Sequence, residues 1–185
     1  LGVWAESYPH VVHSDEHSAV GELKNMCMHT LETQYSQWDR MVKHKGNPPD
    51  WLLMQGAIDL LKGLCTVHDR LTAKGVRLSF RVDVSELFKW CAFTIEQYTN
   101  RPGDYQRFHV LKAVLGFLGE HSSVLRGAFW PIVEEVLEWL LKIARFKTRD
   151  VRNLGWDALV AYVGSVAEFL LEDEDGGGSG DEKKR

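Results

Sequence analysis

Apolar residues recur along this chain at intervals of three and four, the spacing of one face of a helix. From Asp83 onward, Leu87, Trp90, Cys91, Thr94, Ile95 and Tyr98 fall on a single stripe. Asp83 followed by Glu86 resembles a capping box with Asp as the cap, so a helix is expected over residues 83–99. A longer pattern runs from about residue 19 to 42, and Pro48 and Pro49 break it from the next. Asp50 can cap a helix reaching about Thr72.

Arg101-Pro102-Gly103 is a turn signal. Beyond it Phe108, Leu111, Val114, Leu115 and Leu118 form another apolar face, which Gly119 ends. Residues 129–146 carry the widest stripe, through Ile132, Val133, Val136, Leu137, Leu140, Leu141 and Ala144, with Pro131 in the first turn. Thr148 is placed to cap a last helix running through Leu154, Leu159, Val163, Val166 and Leu170. Residues 76–84 alternate briefly, as a strand would, but the run is short and isolated and is read as a connector.

Long helices joined by short turns must lie antiparallel. Helix pairs opening near residues 50, 103 and 148 recur at about 45–53 residues, near the period of HEAT-like repeats. The expected fold is therefore all-α, a HEAT-like α-solenoid of antiparallel helix pairs, with a closed multi-helix bundle as the alternative. Residues 1–18 read as the end of a preceding helix or a loop, and 19–171 as the helical-repeat segment. The remainder, 172–185, is an acidic, glycine-rich flexible loop or linker with no apolar residue. Leu1 in place of Met, and ends that lack a polar cap, suggest a segment of a longer array.

Composition narrows the picture. The chain of 185 residues is 44% hydrophobic, enough for a core. It shows no secretory signal pattern and no apolar run of membrane-spanning length. Cys27, Cys65 and Cys91 are widely spaced on helical patterns and read as reduced, buried thiols. Net charge is −4, of which the tail from Glu172 to Arg185, with six acids and three bases, carries −3. The body is thus near −1, so any nucleic-acid contact must come from a local patch.

Candidate chemistry is sparse. His10, His13 and His17 have a spacing that can bring imidazoles together, but no cysteine completes a metal set, and solvated histidines are the simpler reading. Phosphate-loop, dinucleotide and nucleophile-elbow motifs are missing, so neither an enzyme nor a cofactor is expected. Cys27 and Cys91 read as core, not as nucleophiles. Glu134, Glu135 and Glu138 belong to a solvated face, with Lys142 placed to pair with Glu138. One basic run stands out: Arg145, Lys147, Arg149 and Arg152 at an inter-helix turn, where a helix N-terminus could add its dipole toward phosphates. Arg40, Lys43, His44 and Lys45, beside Trp38, form a second, weaker patch.

Four short segments occur in a telling order: 23–27 (LKNMC), 57–62 (AIDLLK), 84–88 (VSELF) and 115–120 (LGFLGE), followed by a closing helix and an acidic loop. With them the chain resembles the N-terminal HEAT-like repeat region of the DNA-dependent protein kinase catalytic subunit family, over about residues 20–175 with gaps near 38–50. The resemblance implies a divergent segment of a giant nuclear serine/threonine kinase acting in non-homologous end joining. It implies double-stranded DNA ends, the Ku heterodimer and neighbouring repeats as partners. The kinase domain would lie far downstream, leaving this segment a non-catalytic scaffold. The matched residues are core and turn positions and carry over no binding site. The candidate DNA-phosphate contacts Arg145, Lys147, Arg149 and Arg152 rest on charge alone.

Overall fold

A computed structural model of the protein describes residues 19–73, 84–101, 104–119 and 132–176. The fold is all-α. Its helices are α1 (Ala19–His44), α2 (Trp51–Ala73), α3 (Val84–Asn100), α4 (Tyr105–Leu118), α5 (Val133–Ala144) and α6 (Arg149–Gly176). The alternating run at 76–84 lies outside the described residues apart from Val84, the first residue of α3. The cap expected at Asp83 lies outside them too.

Local chemistry sets several of the helix ends. Asp50 Oδ1 accepts the Leu53 N–H at 3.0 Å and opens α2, as its sequence position suggests. Asp104, which no apolar pattern marks, does the same for α4 through the Gln106 N–H at 3.0 Å. Gly119 is the C-cap of α4. The helix expected to run through Phe146 stops at Ala144, because the Phe146 N–H turns back to the Ile143 carbonyl at 2.9 Å and tightens the last turn. At the far end, α6 continues to Gly176, five residues into the segment read as a linker. Adding a residue to an existing helix needs one bond and no new nucleus, which carries the helix on although Asp173, Asp175 and Gly176 are poor helix formers.

The helices pair as α1–α2, α3–α4 and α5–α6. Between pairs, α2 packs on α4 and α4 on α6, while α3 packs on α5. Side chains join α1 to α3: Tyr35 stacks on Trp90 at 5.4 Å and meets Phe93 edge-on. Odd helices thus neighbour odd, and even neighbour even, so the molecule has two rows.

The core lies between the rows. Leu31, Trp38, Met54, Leu61, Ile95, Leu111, Phe117 and Leu140 are fully buried. Trp38 sits edge-on to both Trp51 (4.8 Å) and Phe93 (5.2 Å), joining α1, α2 and α3. Cys27, Cys65 and Cys91 are buried, and none is in a disulfide. Burial pushes the Cys91 thiol up to about 12, which disqualifies it as a nucleophile near neutral pH.

Candidate nucleic-acid interface

The turns within the three pairs lie along one edge. Residues 45–50 join α1 to α2, 101–104 join α3 to α4, and 145–148 join α5 to α6. The Arg107 guanidinium lies 5.8 Å over the Trp51 ring, which holds the first turn of α4 beside that of α2. Arg107 also pairs with Asp104 at 3.2 Å. Tyr98, near the end of α3, touches Phe108 at 6.4 Å and Phe146 at 5.9 Å, which holds the second turn beside the third. The two basic patches, a hundred residues apart in sequence, therefore share this edge.

The odd helices begin at the other edge, each with an acidic residue in its first turn. Glu22 lies in the first turn of α1, Glu86 in that of α3, and Glu134 and Glu135 in that of α5. Along the turn edge, Lys45, Arg101, Arg145, Lys147 and Arg149 are exposed. The turn edge thus carries a row of exposed cations, interspersed with the carboxylates of Asp39, Asp50, Asp104 and Asp150.

Some of this charge serves the helices themselves. Lys43 and His44 in the last turn of α1, and Lys142 in the last turn of α5, sit at the negative end of a helix dipole. Lys43 is further held by Asp39 at 2.8 Å. The expected Glu138–Lys142 pair does not form; both side chains are exposed and point to solvent.

Lys147 and Arg149 have no such explanation. Arg149 is the first residue of α6 and Lys147 lies two residues before it, at the positive end of the dipole. Cations there oppose the helix by about 0.3–1 kcal/mol each. Among the described residues neither has an ion-pair partner. Arg145, at the C-cap of α5, completes an exposed trio within one turn.

Arg152 is placed differently from the other three members of the run. It is half-buried, and its Nη1 donates to the Phe146 and Lys147 carbonyls at 3.5 and 3.4 Å. It satisfies the end of α5 and positions the turn instead of facing outward. In the second patch, Trp38 is wholly core and Arg40 donates from Nε to the Ser36 carbonyl at 3.2 Å. Lys45 is exposed in the left-handed region, at φ 55°.

A groove opens between the first two turns, lined by Pro48, Leu52, Gln55, Tyr105 and His109 among others. The sequence gives no sign of it, because its walls come from residues about fifty positions apart. His10, His13 and His17 lie outside the described residues. Among the described residues no three potential metal ligands converge, and no helix is long and apolar enough to cross a membrane. Compared with known proteins, the chain matches no family model, no curated protein and no solved structure.

Proposed function

We propose that this chain is a non-catalytic helical scaffold segment whose turn edge lies against the phosphate backbone of double-stranded DNA. The observation that carries the reading is the pair Lys147 and Arg149, exposed cations at a helix start where they oppose the dipole and have no internal partner among the described residues. Asp150 in the same first turn supplies part of the compensating negative charge, and an external anion would supply the rest. Lys45, Arg101 and Arg145 extend the track along the same edge.

The packing order supports stacked pairs, a HEAT-like α-solenoid. Odd-to-odd and even-to-even packing is what a stack produces, whereas a closed bundle would bring its first and last helices together. The exposed stripe Trp156, Val160, Val163 and Leu171 on α6, at spacings of four, three and eight, fits a face on which a further helix pair stacks. The collinear segments that resemble the DNA-dependent protein kinase catalytic subunit extend the proposal. On that basis the segment belongs to a nuclear DNA-repair kinase and supports DNA-end and Ku binding in non-homologous end joining.

The test is duplex binding by fluorescence anisotropy across a salt series. Reversing Arg145, Lys147 and Arg149 to Glu should weaken binding and flatten the dependence on salt by about 0.9 in log–log slope for each phosphate that is no longer neutralised. Arg152→Ala should lower stability and leave that slope unchanged. Unaltered binding by the triple variant refutes the DNA reading. It would favour the alternative, a protein-interaction scaffold with no nucleic-acid role, for which the α6 stripe is the supporting feature.

A further inference from the structure

We propose that the groove between the first turns of α2 and α4 receives the base of an unpaired nucleotide, with the strand's phosphates on the cations of the inter-helix turns that precede those helices. The inference rests on the reading of this edge as a phosphate track and adds to it a recognition of single-stranded nucleic acid.

The groove measures about 660 Å³, within the roughly 300–1,000 Å³ of small-ligand sites. Its base is apolar, formed by the buried Pro49 and Trp51. Two large side chains stand on its rim in water: Leu52, 78% exposed on α2, and Tyr105, 74% exposed on α4. The Tyr105 ring meets the imidazole of His109 edge-on at 4.5 Å. An exposed aromatic ring beside a cationic track is the arrangement on which unpaired bases stack, whatever their identity.

Charge decides which part of a nucleotide fits. Both helix starts at the groove are capped by carboxylates. Asp50 takes the Leu53 N–H at 3.0 Å, and Asp104 takes those of Gln106 and Arg107 at 3.0 and 3.4 Å. These carboxylates already occupy the dipole ends and would repel a phosphate. A neutral, flat group meets no such penalty, and Gln55, Gln106 and His109 offer amide and imidazole edges to it. Phosphates are left to the exposed cations of the same two turns, Lys45 in the first and Arg101 at the start of the second.

The experiment compares a labelled blunt duplex with the same duplex bearing a three-nucleotide single-stranded extension, by anisotropy with the full chain, Tyr105→Ala and Tyr105→Trp. The wild type should bind the extended duplex at least about fivefold more tightly, the lower end for one stacked base. Tyr105→Ala should erase that preference with blunt binding unchanged, and Tyr105→Trp should restore it. Tyr105 is exposed, so circular dichroism should report an intact fold in both variants. Binding of neither duplex overturns the phosphate-track reading and the groove with it. Salt-dependent binding of both duplexes without preference overturns the groove alone, as does a preference that survives Tyr105→Ala. A proline-rich peptide that binds the wild type, but not Tyr105→Ala, in the absence of any extension preference would reassign the groove to a peptide.

Discussion

The Tyr35 phenol on α1 and the Thr94 hydroxyl on α3 share a hydrogen bond of 2.6 Å inside the core. It is a polar link between the first and second pairs in the odd row. Thr94 is fully buried and Tyr35 nearly so, hence neither hydroxyl can exchange its partner for water.

Tyr35→Phe is therefore expected to cost about 1–3 kcal/mol, since it leaves the Thr94 hydroxyl buried without its partner. Adding Thr94→Val should recover part of the loss by removing both polar groups together. Urea denaturation of the two single variants and the double reads this directly. Additive losses would contradict the pairing.

Gly155 is where α6 crosses the last turn of α5. A Cβ there would lie 2.5 Å from the Ala144 nitrogen and 2.7 Å from the Ile143 carbonyl carbon. Backbone cannot move aside as a flexible side chain can, so Gly155→Ala should destabilise by about 1–3 kcal/mol. Gly56 and Gly63 on α2 have nothing within 4 Å of the same position. Replacing either with Ala should stabilise by roughly 0.5–1 kcal/mol through helix propensity. Opposite shifts in Tm are the expected result.

Lys45 holds a left-handed conformation that glycine adopts without penalty. Lys45→Gly should raise stability by about 1 kcal/mol and at the same time weaken duplex binding. A variant that is more stable and binds DNA undiminished would remove Lys45 from the phosphate track.

Alkaline pH should unfold the protein through its buried acids. Burial raises the Cys91 thiol from 9.0 to about 12. Burial, then the charge of Glu135, raises the Tyr162 phenol from 10.0 to about 12. The folded state holds these protons more tightly than the unfolded chain. Their contribution is complete below about pH 9 and is lost as pH climbs from there toward 12. The urea midpoint should be flat from about pH 7 to 8.5 and fall above 9, and Cys91→Ala should reduce that fall. Native protein at pH 8 should react with a thiol reagent far more slowly than unfolded protein.

The helices were legible because their signals are local. Period 3.6 exposes a stripe, Asp50 supplies a cap, and Gly119 supplies a stop, each within a few residues. The ends that differ from expectation have local causes that no apolar pattern encodes. The acidic residues after Leu171 look like a linker to any hydrophobicity argument, yet α6 runs through them to Gly176. The end of α5 depends on one backbone bond, from Phe146 to Ile143.

The basic run at 145–152 was also legible as charge, but its members look equivalent in sequence. Only three-dimensional placement separates Arg152, held on the Phe146 and Lys147 carbonyls, from Lys147 and Arg149, which face solvent. The groove between Leu52 and Tyr105 left no trace in the sequence at all.

By itself, then, the sequence determined an all-α chain, its helices and the residues of its core, since burial periodicity and capping act over one or two turns. Tertiary structure decided which helices are neighbours, and with that the gathering of three distant turns on one edge. That gathering depends on contacts such as Trp51 with Arg107 and Tyr98 with Phe146. Such contacts join residues about fifty positions apart, a distance at which side-chain periodicity carries no information.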